Sequence, residues 1–207
     1  ECELTEVSAA SDVIVSSELW LIVISVIYSI SFTIYNRVLR PTSGIAEELR
    51  KEGHSASHLK AAGYTAFKLK AAGFTLSELK AAQFKASMLR EAEFTWSELM
   101  SVYRELVISN SGIGCEEAKS LASALKGNRV LKNLNLSDNE MGDESAEAIG
   151  GALAVNGALK ELNLSDNWIG DESAAALGKA LEVNGVLKTL DLQGNVIGPT
   201  GATALAD

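Results

Sequence analysis

The chain has 207 residues, of which 47% are hydrophobic and only 6% aromatic, so its cores must be built mainly from aliphatic side chains. The formal net charge is −9, which disfavours nucleic acid as a partner because a polyanion is repelled. Two cysteines, Cys2 and Cys115, are too few for a disulfide framework. The charge is uneven: residues 1–18 carry five acidic and no basic side chains, and residues 103–207 carry fifteen acidic and eight basic ones.

A transmembrane helix at residues 19–40 is predicted to follow the acidic N-terminal tail, residues 1–18. The 18 residues from 19 to 36 hold no charge, and as a helix they span about 27 Å, close to the hydrocarbon thickness of a bilayer. A buried strand is the alternative, but a strand is usually much shorter. Arg37 and Arg40 follow at once, and such residues stay on the cytoplasmic side. We therefore expect a single-pass protein with its repeats on the cytosolic, stromal or matrix side.

One face of this predicted helix is polar. Ser25, Ser29 and Thr33 lie four residues apart, and Asn36 continues the same face. Small polar side chains at this spacing let two helices approach closely in lipid. These four residues are therefore the predicted contact with a neighbouring helix.

After a predicted linker at residues 41–52, a ten-residue repeat fills residues 53–102. It places a large apolar side chain at every fifth position, and leucine alternates there with an aromatic residue. The members are Leu59, Tyr64, Leu69, Phe74, Leu79, Phe84, Leu89, Phe94 and Leu99. Repeats of this length indicate a solenoid in which each unit packs on its neighbours.

Two folds are compatible with this repeat. Thr75 with Glu78, and Thr95 with Glu98, have the spacing of capping boxes, which favours a series of short broken helices. A small residue stands two positions before nearly every large apolar one, as in the five residues from Ser77 to Ala81. That pattern resembles the pentapeptide-repeat family, whose units form a square β-helix. The predicted fold of residues 53–102 is this pentapeptide-like solenoid, with short helices as the alternative.

The last half of the chain, residues 103–207, has a period of 28 residues. The pattern LxxLxLxxN recurs at residues 131–139, 159–167 and 187–195, and a glycine follows each asparagine by three residues. The pattern resembles the leucine-rich repeat of the ribonuclease-inhibitor type. The resemblance implies an α/β solenoid in which each repeat is a strand, a turn and a helix, and the strands form a parallel sheet on the concave side.

Polar side chains of these repeats have two predicted roles. Asn139, Asn167 and Asn195 are expected to bond backbone groups of the next turn and so to form a ladder. Acidic residues at 143–144 and 171–172 are expected to favour the positive end of a helix. The predicted protein-binding residues of the concave face are Asn133, Asn135, Ser137, Glu161, Asn163, Ser165, Thr189, Asp191 and Gln193.

No motif for catalysis is present in the sequence. His54 and His58 are four residues apart, but two histidines without a third ligand make a poor metal site. A phosphate-binding loop, a nucleophile motif and a cysteine cluster are absent. We therefore predict a protein that is not an enzyme and that has no catalytic residue, no metal and no other cofactor.

The predicted function is that of a non-catalytic, membrane-anchored scaffold or accessory subunit of a large membrane complex. Its partners would be other subunits and the lipid bilayer, with no small-molecule substrate. The decapeptides are similar to ones in proteins of algae and other protists, which favours an organelle: a photosystem-type complex of the chloroplast thylakoid first, a respiratory complex second. The alternative is a leucine-rich-repeat sensor, receptor or adaptor. Because the sequence stops within its last repeat, at Asp207, we expect further repeats or a partner to cover that end.

Overall fold

The computed structural model describes residues 42–206. The predicted transmembrane helix at residues 19–40 and its four packing residues, from Ser25 to Asn36, lie outside that range and stay predictions. Across the described residues, no helix combines the length and the apolar character needed to cross a bilayer.

Helices alone build the first part of the described range, and strands alternate with helices in the second. The first part holds α1 Ser43–Lys51, α2 Ala56–Ala61, α3 Ala66–Ala71, α4 Leu76–Ala81, α5 Ala86–Glu91 and α6 Trp96–Val102. The second part holds β1 Glu105–Val107, α7 Cys115–Gly127, β2 Asn133–Asn135, α8 Asp143–Leu153, β3 Glu161–Asn163, α9 Asp171–Val183, β4 Thr189–Asp191 and α10 Pro199–Ala206. Helix α1 lies where the sequence predicted a linker.

The decapeptides form short helices, so the β-helix predicted for residues 53–102 is wrong and the alternative of short broken helices is confirmed. The reason lies in how each helix ends. In the first unit the Tyr64 N–H donates to the Leu59 carbonyl (3.0 Å) and the Gly63 N–H to the Lys60 carbonyl (2.9 Å), which is a Schellman motif. That motif pairs two apolar side chains five residues apart. The five-residue spacing that resembles a pentapeptide repeat is therefore the spacing of a helix C-terminal cap.

In most decapeptide units the helix also begins with a side-chain cap. The hydroxyls of Ser55, Thr65, Thr75 and Thr95 accept from the backbone N–H three residues later, whereas Lys85 provides no such bond. Thr75 with Glu78, and Thr95 with Glu98, form complete capping boxes, as their spacing predicted. Helices of six residues need such caps, because so few of their backbone groups bond within the helix.

Glu98→Gln is expected to weaken folding by less than about 1 kcal/mol at neutral pH, because the carboxylate lies on the surface and water screens it. The Thr95 N–H and then the Thr95 hydroxyl hold the pKa of Glu98 below its usual value. This contribution is therefore present above the ordinary glutamate pKa of about 4.3 and is lost as the pH falls through the lowered pKa of the folded protein. Urea unfolding at a series of pH values should show the two proteins converging in acid. A difference that does not change with pH would contradict this explanation.

Units two apart in sequence stack on each other, so two decapeptides complete one turn of the solenoid. Helix α1 packs on α3, α2 on α4, α3 on α5 and α4 on α6. Lysines fix this arrangement: the Lys70 ammonium donates to the carbonyls of Ala92 (2.9 Å) and Glu93 (2.8 Å), two units further on, and lies 4.3 Å from the centroid of the Phe94 ring. Lys60 does the same with Ala82, Gln83 and Phe84. Each lysine thus closes the C-terminal end of a helix in the next turn.

Glu93→Gly is expected to raise the free energy of unfolding by about 1 kcal/mol. Glu93 has a φ of 60° at the position where earlier units place Gly63 and Gly73, with φ of 88° and 85°. A side chain costs about 1 kcal/mol in this left-handed region, and glycine removes the cost. The matched control is Gly63→Ala, whose added methyl group has no atom within 4 Å and should lose about the same amount through φ alone. Chemical unfolding of the three proteins measures both changes, and an unchanged or less stable Glu93→Gly protein would contradict the expectation.

The strands form one parallel sheet in the order β1, β2, β3, β4, each shifted by one 28-residue repeat from the last. Leu106, Leu134 and Leu162 occupy the central register position and are buried under the helices. The hydrophobic core is continuous from Ala46 to Ala180, so the decapeptides and the leucine-rich repeats share it. These facts confirm an α/β solenoid for residues 105–206, which continues an all-helical solenoid of decapeptides.

Two polar contacts join the decapeptides to the leucine-rich repeats. The Arg90 guanidinium lies over the Trp96 ring at 4.4 Å and contacts the Glu117 carboxylate at 3.2 Å. The Asn128 amide donates to the Met100 carbonyl (2.8 Å) in the last decapeptide helix. The second repeat type therefore begins on the last decapeptide without an intervening linker.

Candidate protein-binding surfaces

The exposed face of the sheet carries two rows of side chains. One row runs across the four strands through Glu105, Asn133, Glu161 and Thr189, and the next through Val107, Asn135, Asn163 and Asp191. The structure thus brings six of the nine predicted concave-face residues into two rows, and Ser137, Ser165 and Gln193 follow two residues after the second row. Of the nine, Glu161, Thr189 and Gln193 are exposed, Ser165 is buried, and the rest are half-buried. Val107 is exposed on the same face. The sequence prediction missed it because the first copy of the repeat, residues 103–111, departs from the LxxLxLxxN pattern.

Several of these polar side chains also make hydrogen bonds within the sheet. The side-chain oxygens of Asn135, Asn163 and Asp191 each accept from the backbone N–H two residues later, at 2.9, 2.7 and 3.0 Å. The Asn133 amide donates to the Glu161 carboxylate at 2.8 Å. In contrast, the Thr189 side chain makes no hydrogen bond within the described residues, so its hydroxyl is available to a partner.

The asparagine after each strand forms the predicted ladder, but the ladder runs toward the preceding repeat. The Asn139 side-chain oxygen accepts from the N–H groups of Ser111 and Ile113, both at 3.1 Å, and its amide donates to the Ile108 carbonyl at 2.8 Å. Asn167 and Asn195 likewise bond backbone groups of the repeat before their own. The expectation that they would bond the next turn is therefore corrected.

A second asparagine ladder follows the helices and was not predicted. The Asn156 amide donates to the carbonyls of Leu125 (2.6 Å) and Asn128 (3.1 Å), and its oxygen accepts from the N–H groups of Ala158 and Leu159. Asn128 and Asn184 occupy the same position in their own repeats. Because they also recur every 28 residues, the sequence contained the signal. The two ladders bond each repeat to the one before it, which sets the register of the rows on the sheet.

Asp143 and Asp171, two of the acidic residues at the helix starts, act on the following helix as well as on their own. The Asp143 carboxylate accepts from the Gly170 N–H (2.8 Å) and from the Ser173 hydroxyl (2.5 Å), at the start of α9. The Ser173 hydroxyl and then the Gly170 N–H hold the pKa of Asp143 below its usual value. Asp171 bonds Gly198 and Gly201 in the same way. These carboxylates are structural caps, and the helix N-termini they occupy are not open to an anion.

The two edges of the sheet differ in charge. Basic side chains stand just before the strands, at Arg104, Lys132, Lys160 and Lys188. Acidic side chains stand beyond the strand ends, at Asp138, Glu140 and Asp166, all exposed. On the acidic edge the Trp168 side chain is 67% exposed, and Val196, one repeat later, is 61% exposed. Trp168 is not among the binding residues predicted from the sequence, which all belong to the concave face.

Metal-binding side chains form no metal centre among the described residues. Within residues 42–206 no three histidine, cysteine or acidic side chains are close enough to hold a metal ion. The His54 and His58 rings lie 6.4 Å apart, centroid to centroid. Cys115 is half-buried, and the Glu144 carboxylate raises the pKa of its thiol, which disfavours the reactive thiolate form. The described surfaces offer groups for hydrogen bonding, ionic contact and apolar contact.

Known protein families cover both repeat types. Residues 45–105 match the family model of the decapeptide repeat region. Residues 127–150, 158–178 and 183–206 match a leucine-rich repeat model. No curated protein matches the chain.

Two solved structures are similar in part. One is actin-binding site 2 of leiomodin-1, with 24% identity and a TM-score of 0.46 over 58% of this chain and 69% of that chain. The other is the C-terminal domain of a tropomodulin from Caenorhabditis elegans, with 15% identity and a TM-score of 0.46 over 54% of this chain and 71% of that chain. At this level of similarity neither structure bears on what this chain binds.

Proposed function

We propose that this protein is a non-catalytic adaptor that binds a partner protein through the exposed face of its leucine-rich-repeat sheet. The match to leucine-rich repeats is the main support for this proposal, because stacked repeats create extended surfaces that proteins use for binding other proteins. The observation that supports it here is the pair of in-register rows on the sheet, which two asparagine ladders hold in place. A rigid polar face loses little conformational entropy when a partner binds.

The chemistry of the rows defines the partner's surface. Asn133, Asn135 and Asn163 present amides, Thr189 a hydroxyl, and Glu161 a carboxylate. Such a face suits a polar protein surface that offers both hydrogen-bond acceptors, for the amide N–H groups, and donors, including a few cationic ones. A nucleic acid is disfavoured, because its phosphates would meet a chain with a net charge of −9.

Site-specific photo-crosslinking in a native extract tests this proposal. A photoreactive amino acid at Thr189, exposed on β4, should label a defined partner, and Glu161→Lys on the neighbouring strand should reduce that labelling. The matched control is the same amino acid at Lys179, which is exposed on helix α9 of the adjoining repeat. Equal labelling from both positions, or none from Thr189, would overturn the proposal.

A more specific form places the adaptor in a large membrane complex, photosynthetic or respiratory, held by the predicted helix at residues 19–40. Only the sequence of that segment supports this form. If it holds, protease treatment of sealed vesicles should digest the acidic tail and the repeats from opposite sides. The protein should also co-migrate with a complex in mild detergent, and Ser29→Leu should release it. Digestion of both ends from one side would contradict the membrane topology while leaving the adaptor proposal standing.

A further inference from the structure

We propose that the acidic edge of the leucine-rich repeats carries a second docking surface, which binds a basic segment of a partner protein. We call it the tryptophan patch; it consists of Trp168, Val196, Asp138, Glu140 and Asp166. It lies beyond the strand ends, whereas the adaptor proposal concerns the strand face. The two surfaces can therefore be tested separately.

The fold places the apolar centre of the patch. Trp168 follows the buried ladder residue Asn167, and its N–H donates to the Met141 carbonyl at 2.9 Å. Val196 occupies the same position one repeat later, where its N–H donates to the Ile169 carbonyl at 3.0 Å. Neighbouring strands lie about 5 Å apart, so equivalent positions of adjoining repeats are neighbours at this edge. The backbone is fixed while both side chains remain exposed.

The rim of the patch is acidic. Glu140 holds the position of Trp168 in the preceding repeat, and Asp138 and Asp166 precede the ladder asparagines. Both aspartates have left-handed backbone, with φ of 55° and 53°, and their N–H groups donate to the following repeat, to Ser165 and Gln193. Among the described residues, no ion pair involves Asp138, Glu140 or Asp166. Their charges are thus available to a partner.

This combination selects a basic occupant. A guanidinium or ammonium group is attracted to the face of an exposed indole, and the effect adds to its attraction to the surrounding carboxylates. The alkyl stem of the same side chain can cover Val196. Tryptophan is among the residues that most often dominate the binding energy of protein interfaces. A second copy of this chain is disfavoured as the occupant, because two molecules of net charge −9 repel each other.

Peptides of about twelve residues test the proposal on the full chain. One is built from Gly-Arg-Leu triplets, a second from Gly-Glu-Leu and a third from Gly-Arg-Ser; the second reverses the charge and the third removes the apolar side chain. The readout is the NMR signal of the Trp168 indole N–H, assigned with Trp168→Phe, together with calorimetric affinity. The Gly-Arg-Leu peptide should shift that signal and bind at least about tenfold more tightly than either of the other two. Its affinity should fall as salt is added.

Protein variants complete the test. Trp168→Ala should weaken binding of the Gly-Arg-Leu peptide at least about tenfold, and Asp138→Asn with Asp166→Asn should weaken it and flatten its salt dependence. The matched control is Val183→Ala on helix α9. Val183 is 66% exposed, and its substitution should leave the affinity unchanged within about twofold.

The proposal is overturned if Trp168→Ala binds the Gly-Arg-Leu peptide as tightly as the original protein. It is equally overturned if the acidic or the serine-containing peptide binds as well as Gly-Arg-Leu. A dimer in sedimentation that Trp168→Ala converts to a monomer would overturn it too, because the patch would then bind a second copy of the chain. Loss of photo-crosslinking at Thr189 with peptide binding intact would refute only the adaptor proposal.

Discussion

Asn139→Ala is expected to lower the free energy of unfolding by about 3–5 kcal/mol, the largest effect we expect from a single polar side chain here. Asn139 is 5% exposed, and its amide group makes five hydrogen bonds to the backbone. Alanine would leave the buried N–H of Ile113 without its partner, and each buried group left unpaired costs about 1–3 kcal/mol. Guanidinium unfolding followed by circular dichroism measures the change.

The same substitution in the last repeat is the control. Asn195 makes four hydrogen bonds to the backbone but is half-buried, because the sheet ends at β4 in the described residues. Water can replace part of what its side chain provides, so Asn195→Ala should cost about 1 kcal/mol. Equal losses at the two positions would show that burial does not control the strength of the ladder.

Lys70→Met is expected to cost about 2–3 kcal/mol. Methionine keeps an unbranched apolar stem but removes the ammonium group that bonds two carbonyls and lies over the Phe94 ring. Both carbonyls belong to the C-terminal end of α5, where a positive charge is also favoured by the helix dipole. Thermal and urea unfolding of the variant would measure the loss.

Lys68→Met provides the matched control on the same helix. The Lys68 side chain makes no hydrogen bond and no ion pair within the described residues, so its loss should change stability by no more than about 0.5 kcal/mol. If the two variants are equally stable, the lysine contacts between units are not what holds successive turns of the solenoid together.

The sequence predicted the leucine-rich repeats well because their pattern assigns a distinct side chain to each of many positions. The ten-residue repeat was harder, since one spacing has two physical origins. Leu59 and Tyr64 are five apart in a pentapeptide coil and also at a Schellman cap. The threonine–glutamate pairs distinguish the two, because a capping box has meaning only at the start of a helix.

The direction of the asparagine ladder could not be predicted, because a residue that recurs every 28 positions gives the same sequence whether it bonds forward or backward. The second ladder, through Asn128, Asn156 and Asn184, was visible in the period but was not recognised. The sequence did not predict Trp168 as a binding residue, for a different reason. Its position holds Glu140 in one repeat and Val196 in another, so the fold imposes no residue type there, and only the exposure shows that the indole is free.

Because every second decapeptide stacks in the same column, an odd or even number of units determines the column in which the first helix lies. The lysine of one unit bonds the unit two places later, so odd and even units form two separate columns. Removing ten residues would transfer every helix upstream of the deletion to the other column and would turn α1 to the opposite side of the leucine-rich repeats. Removing or inserting twenty would keep all helices in their columns. Homologous arrays of this kind should therefore differ in length by pairs of units, whenever the side on which the first helix lies affects binding.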